Sequence, residues 1–363
     1  MNDKTIGIIG AGISGLHTAY ELAKKGKPFI LFEARTRVGG RVNSPVSITD
    51  LARFDIGPSW FWPGQTHIEN LVSELGLDDL VFKQYASGGA LYEPMGGEVQ
   101  RGINGISMAG SNRMKGGLRT ITQALHKKII SLAGKDVIKL NTAIDSITLS
   151  EVGVNINAAN KACWQCSKIV LALPPRVALD LISFNPLLTL KRQEALSNVS
   201  TWMAGHAKAV ILYKQSFWRN DGLSGDIISQ AGPLSEIHDA SPVNADNIAC
   251  YALFGFFATP PSQRTGDKAI IDAQIIEQLC RLLGPDAASP IEIIYKDWAK
   301  DKFTASQLDQ SIPNHHPSNY WDSRVEDGWQ ERLIWSGAES CEGHYNGYIE
   351  GAVIASKATL KLL

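Results

Sequence analysis

Lys4 to Ile9 alternates into an apolar strand, and Leu16, Ala19, Tyr20 and Ala23 then recur at helical spacings, so the chain opens as strand, turn and helix. Gly26 ends that helix, and a second apolar strand runs from Pro28 to Phe32. Near the other end, Arg332 to Trp335 reads as a strand, followed by a glycine-rich turn and a helix from about Gly347. In MAGHAKAVILYKQSFW, residues 203 to 218, Lys208 interrupts an otherwise small and apolar strand. Two readings stand side by side there. An ammonium buried in such a strand is costly unless paired or functional, whereas His206, Lys208, Val210 and Leu212 would also make one face of a half-exposed strand with the ammonium in water.

The first turn carries its own chemistry. Gly10, Gly12 and Gly15 have GxGxxG spacing: the first permits the turn, the second lets backbone approach a pyrophosphate, and the third lets helix pack on strand. Glu33 ends the second strand 18 residues after Gly15, at the distance where an acid accepts a ribose hydroxyl. Strand, helix, second strand and acid in this order point to a bound adenine dinucleotide. Ala34 to Arg41 then forms a second glycine turn with three arginines, which suits a pyrophosphate clamp or, equally, a solvated basic loop.

Composition narrows the partners. The 363 residues are 44% apolar with 33 glycines, enough for a large core and two domains. With 36 acidic and 35 basic residues and no long basic run, nucleic acid is not an expected partner. No secretory pattern and no membrane-length apolar run are visible, so a soluble, cytoplasmic protein is expected. The five cysteines read as reduced thiols, Cys163 and Cys166 as a structural CxxC, and the His315/His316 pair does not define a metal site, so no metal is expected. No second GxGxxG unit follows downstream, which suggests that electrons enter from substrate and leave to oxygen or another acceptor.

The turn and the run Glu33-Ala-Arg35-Thr-Arg-Val-Gly-Gly40-Arg41 strongly resemble the signature of the flavin-containing amine oxidase family. The likeness extends along the chain, through Asp55-Ile-Gly-Pro-Ser-Trp60, Met114-Lys-Gly-Gly-Leu118, Lys168 to Pro175, the Lys208, Tyr213, Phe217 and Trp218 segment, and Trp335-Ser-Gly-Ala-Glu339 with Gly347-Tyr-Ile-Glu-Gly-Ala352. It implies an α/β fold in which a Rossmann-like FAD-binding domain (1–80, 115–183, 298–363) is joined to an α+β substrate domain (81–114, 184–297), both assembled from discontinuous segments.

By that resemblance Glu33, Arg35 and Arg41, with Gly10, Gly12, Ser14, Gly15, Gly40 and Glu339, belong to the cofactor site, and the Ile144 backbone lies near the adenine. The Ile349 backbone would sit by the pyrimidine edge of the isoalloxazine, where the N-terminus of the last helix could stabilise negative charge. Lys208 would hold a water near flavin N5, Trp298 would pack beside the ring, and Tyr348 would wall an amine channel. Trp60-Phe61-Trp62 with Phe254 and Phe256 would line the cavity or simply fill the core.

Two departures qualify the likeness. Phe303 to Asp309 lacks the cysteine of the covalent flavoproteins, so FAD is expected to be non-covalent, and the second wall of the channel falls at Leu308, which is not aromatic. The chain is also short between Trp62 and Met114, which implies a more open cavity or one completed by a partner. The implied activity is oxidation of an amine or amino acid to the imine, with hydride passing to N5 and dioxygen reduced to hydrogen peroxide. A dehydrogenase or desaturase using another acceptor, or a non-catalytic FAD-bearing accessory protein, stays open on the sequence, as does the oligomeric state.

Overall fold

The structure, a computed structural model, describes residues 5–48, 52–104, 108–242, 250–264, 266–311 and 328–363, and the His315/His316 pair lies outside them. A five-stranded parallel sheet is built from β1 (Ile6–Ile9), β2 (Phe29–Phe32), β7 (Ile138–Lys139), β11 (Lys168–Leu171) and β18 (Leu333–Trp335), in the order β18-β11-β1-β2-β7. Apart from Lys139 and Lys168 at strand ends, its strands carry no charge, because both faces are covered. On one face Ile8, Leu31 and Val170 meet α1 (Ile13–Lys24), α3 (Arg119–Ala133) and α8 (Ile349–Leu360) through Leu16, Ile121, Leu125 and Val353. On the other, Ile9, Phe32, Ile169 and Leu171 pack against Ile147 and Ile156. Those two belong to a second sheet, β10-β9-β8-β12, made of β8 (Ile144–Ser150), β9 (Gly153–Ala158), β10 (Cys163–Cys166) and β12 (Ser183–Asn185).

A seven-stranded sheet runs β17-β13-β16-β15-β14-β4-β5. Its strands are β4 (Gly89–Glu93), β5 (Gln100–Ile103), β13 (Ala207–Tyr213), β14 (Leu223–Ser229), β15 (Leu234–Asp239), β16 (Tyr251–Phe257) and β17 (Glu292–Asp297). Here the two-residue period of a strand decides which side chain goes where. Ala207, Ala209, Ile211 and Tyr213 face α7 (Lys268–Leu283), packing on Ile275 and Leu279, while Val210 and Leu212 face the opposite way, onto Phe54, Ile56 and Trp60. β3 (Val81–Lys83) and β6 (Asn112–Met114) form a short antiparallel ribbon, and α4 (Pro175–Leu181), α5 (Leu190–Ser197) and α6 (Phe217–Asn220) fill connections.

Packing cuts across the sequence-based division at two places. Residues 184–199, assigned from sequence to the second unit, join the first: β12 pairs in parallel with β8, and Leu188, Leu196 and Val199 enter the cluster beneath the parallel sheet. Conversely Phe54, Ile56 and Trp60, from the first segment, pack on the seven-stranded sheet. A three-residue strand paired with a distant neighbour leaves no periodicity to read. All five cysteines are free, with Cys163 exposed and Cys166 buried on β10. Among the described residues no helix is long and apolar enough to cross a membrane.

Glu350, in the first turn of α8 and 2% exposed, accepts hydrogen bonds from the backbone N–H of His67 (3.1 Å) and Ile68 (2.7 Å). These are orphan donors at the start of α2 (Thr66–Glu74), so an acid on the last helix caps a helix near the front of the chain. Glu350→Ala strands both donors and is expected to lower the unfolding free energy by about 1–3 kcal/mol in denaturant titration, with Glu350→Gln, which keeps one acceptor, losing less.

Candidate active site

The site begins where β1 ends. Gly10 sits at φ +104°, a conformation that L side chains avoid, and a Cβ there would press on the Ala172 carbonyl oxygen at 2.6 Å. Gly15 lies so close over Gly10 that a Cβ would run into its carbonyl oxygen, and this approach seats α1 on the strand. Gly12 is the N-cap of α1, with no capping side chain and no acid in the first turn. The helix therefore presents unpaired N–H groups and its positive dipole end to whatever lies in front of it.

What lies there is a cavity of about 560 Å³. Gly12, Ala172 and Ala338, which follow β1, β11 and β18, all line it, so it opens at the carboxyl ends of the parallel strands, where such sheets hold their ligands. Ser14, which donates to the Ser336 carbonyl, and Arg41 line the same end. Arg41 makes a two-pronged ion pair with the fully buried Glu339, at 2.5 and 2.9 Å, and also donates to the Trp202 carbonyl.

The other residues of the basic turn do different work. The buried Glu33 accepts from the N–H of Ala11 on one oxygen and of Arg35 on the other, both at 2.9 Å, so its carboxylate is fixed beside the glycine turn. Arg35 turns from the cavity: it donates to Asp301 (2.6 Å) and Thr304 (3.0 Å) and stacks over Phe303, tying the turn to the segment after β17. Arg37 closes the loop on itself through the carbonyls of Val38, Gly40 and Val42. Gly40, at φ +57°, passes over Gly12, with a Cβ position 3.3 Å from its Cα. Ile144 is buried on β8 and does not line the cavity, although Thr142, two residues before it, donates to the Glu33 carbonyl.

Lys208 resolves the two readings of its strand. It lies on the face of β13 away from α7, only 1% exposed, because that face too is covered. Its Nζ donates to the Gly57 carbonyl at 3.1 Å and to Ser59 Oγ at 2.5 Å, and stands 3.8 Å from the Phe254 ring centre. Burial pushes its pKa down to about 7, against the pull of the Asp55 carboxylate. Trp298 donates from Nε1 to the Ile56 carbonyl at 2.8 Å, so it braces the same 56–59 loop. Trp60 donates to Gln84 Oε1, and Trp62 meets Tyr348 edge-on at 6.3 Å. Tyr348 and Ile349, the cap and first residue of α8, complete this wall, and burial pushes the tyrosine pKa up.

Of the expected aromatics, Trp60, Trp62, Phe256, Trp298 and Tyr348 line the cavity. Phe61 is buried in the core over the parallel sheet, and Phe254 lies beneath the Lys208 ammonium, so both serve as packing. Leu308 is 57% exposed and outside the lining. Several lining residues were given no site role from sequence, among them Trp202, His206 and Glu236. Burial and the neighbouring Arg264 charge lower the His206 pKa to about 4, which keeps the ring neutral. The one available signal for Glu236 was its spacing of two from His238 in LSEIHD, which puts both on one face of a strand.

Residues 90–359 match the family model of flavin containing amine oxidoreductases, and residues 8–75 match that of an NAD(P)-binding Rossmann-like domain. A probable flavin-containing monoamine oxidase A of Dictyostelium discoideum is 22% identical over 95% of this chain and 94% of its own length. Amine oxidase [flavin-containing] B of Sus scrofa is 22% identical over 96% of this chain and 84% of its own length. Among solved structures, a wild-type putrescine oxidase bound to putrescine superposes with a TM-score of 0.80 at 20% identity, covering 99% of this chain and 98% of that one. A cyclohexylamine oxidase from Brevibacterium oxydans gives 0.79 at 19% identity over the same shares. With a family model spanning most of its length, and the glycine turn, the Arg41–Glu339 pair and the buried lysine in one cavity, the chain belongs to the flavin containing amine oxidoreductases.

Proposed function

We propose that the protein oxidises an amine or amino acid to the imine with non-covalently held FAD, dioxygen serving as acceptor and hydrogen peroxide leaving as co-product. The observation that carries this reading is the continuity of the cavity, which runs from the open N-terminus of α1 at Gly12 and Ser14 to the aromatic chamber around Lys208. The two ends suit the two ends of a flavin dinucleotide. The N–H groups of the α1 turn and Arg41 fit the pyrophosphate, Glu33 the ribose hydroxyls, and the backbone at Ala338 and Ile349 the isoalloxazine. No cysteine of the described residues lines the cavity, which supports a non-covalent cofactor. Bound FAD supplies the hydride acceptor for the C–H bond next to nitrogen.

The chain's own residues supply the rest. Trp60, Phe256, Trp298 and Tyr348 make a poorly hydrated chamber that favours the neutral amine over its ammonium form, and hydride loss requires that neutral form. Lys208, held by Gly57 and Ser59 with a pKa near 7, can hold or release a proton at its Nζ without moving. The putrescine-bound and cyclohexylamine-oxidising neighbours support an alkylamine as substrate. A cytoplasmic location, and a cofactor unit extended to residue 199, complete the proposal.

Three experiments test it. Anaerobic addition of amines to purified protein is expected to bleach the flavin band near ~450 nm, and admission of air to restore it with hydrogen peroxide; a flavin that no amine or amino acid bleaches overturns the reading. A Cβ at Gly12 would meet no protein atom within 4 Å, so Gly12→Val is expected to fold yet lose FAD, as read by the flavin-to-protein absorbance ratio.

Lys208→Met is expected to retain FAD while slowing flavin reduction or reoxidation by about tenfold or more in stopped flow. The sign of its stability effect follows from burial. Between pH 7 and the ordinary lysine value of 10.5 the unfolded chain binds a proton that the folded chain does not, so wild-type stability rises with pH across that window. The Lys208→Met variant lacks this slope, and its stability advantage over wild type should be largest near pH 7 and shrink toward pH 10 in paired denaturant titrations.

A further inference from the structure

We infer that Glu236 anchors a second cationic group on the substrate, so that the cavity selects diamines, or other amines carrying a distal positive charge, over simple monoamines. The inference rests on the amine-oxidising reading above and names the substrate class for that same cavity. It starts from strand register. Glu236 on β15 lies opposite Phe256 on β16, and Phe256 lies opposite Lys208 on β13, so the three form one row across the sheet on a single face. All three line the cavity. Two strand spacings of about 4.8 Å place the Glu236 backbone roughly 10 Å from that of Lys208, one charged position at each end of a row bridged by an aromatic ring.

Glu236 is the one carboxylate of the cavity lining among the described residues. An acid in an otherwise aromatic wall needs a reason, since an apolar side chain would line the chamber without desolvating a charge. Its geometry is also fixed from behind. Glu236 Oε1 is 2.7 Å from His238 Nε2, and His238 Nδ1 is 2.7 Å from Asp226 Oδ1, with His238 and Asp226 each 1% exposed. An imidazole placed between two carboxylates donates through both nitrogens only as the imidazolium, which offsets one of the two negative charges. The Asp226–His238–Glu236 chain therefore carries one net negative charge, with Glu236 at its cavity end. Trp60 packs edge-on against His238 at 5.0 Å and holds the ring in place.

Among the described residues, no side chain lining the cavity pairs directly with the Glu236 carboxylate. Lys208 directs its Nζ to Gly57 and Ser59, and no ion pair of the described residues joins it to Glu236. His206 is neutral, and Arg41 is taken by Glu339. Glu236 Oε2 receives no hydrogen bond from a described residue, and the side chain is 33% exposed, which leaves it open to a ligand. The Phe256 ring between Glu236 and Lys208 in the row lies under the Lys208 ammonium, 5.3 Å from its centre.

The test compares kcat/KM for 1,3-diaminopropane through 1,6-diaminohexane with the monoamines of equal length, in wild type, Glu236→Gln and His238→Gln. Wild type is expected to prefer at least one diamine by about tenfold or more, chiefly through KM, and Glu236→Gln to reduce that ratio to near one. His238, a positioning residue, should on substitution raise diamine KM with little change in kcat. Equal use of diamines and monoamines by wild type, or a preference that survives Glu236→Gln, overturns the inference while leaving the oxidase reading intact. Calorimetric titration with hexamethonium, a dication that cannot be oxidised to an imine, separates the two failures. Binding by wild type that weakens about tenfold in Glu236→Gln supports the anchor even if no amine is turned over, and binding that is absent or unchanged overturns it.

Discussion

The 56–59 loop is the keystone of the molecule, because it is clamped from both sides. From the seven-stranded sheet, Trp298 donates to the Ile56 carbonyl and Lys208 to the Gly57 carbonyl and Ser59 hydroxyl. From the other side the loop is pressed so closely on the end of the second, arginine-bearing turn that a Cβ at Gly57 would collide with the Arg41 carbonyl. The distance between the dinucleotide turn and the aromatic chamber is therefore set by these contacts, and the cavity is the gap they leave. Asp55 extends the clamp, accepting from Ser44 and from the Leu118 N–H, and burial raises its pKa against the pull of the Lys208 and Arg113 charges.

This arrangement explains why an expensive residue sits in an apolar strand. A lysine on β13 must either reach water or be satisfied in place, and the loop carbonyl, the hydroxyl and the Phe254 ring satisfy it. Burial beneath that loop depresses its proton affinity, while the contacts themselves favour the ammonium. Bracing and burial thus act on one side chain in opposite senses, and burial prevails.

The first βαβ unit was legible from sequence because each of its signals is local: glycine spacing, helical period, and an acid at a fixed offset. Resemblance added the far C-terminal motif and Lys208, and the structure brings Gly12, Ser14, Arg41, Lys208, Trp298 and Tyr348 to one cavity. Arg35 pairs with Asp301, which lies far along the chain, and no local pattern announces that pair. Glu236 stayed hidden for a similar reason. Its position depends on the register of three strands from separate segments, and its support depends on Asp226 from a fourth. The packing of residues 184–199 with the first unit was equally invisible, since it rests on a three-residue strand and a few apolar contacts.

The parallel sheet interleaves the two ends of the chain: β18 flanks β11, which flanks β1, and α8 lies on α1 while its Glu350 caps α2. A chain emerging from the ribosome thus makes the glycine turn first and its remaining walls last. Until residues 333–360 have emerged, α2 lacks its cap, Arg41 lacks Glu339, and the cavity lacks the side formed by Ala338, Tyr348 and Ile349. The cavity is thus closed only when the two ends of the chain meet, so its walls depend on the longest sequence separations in the molecule.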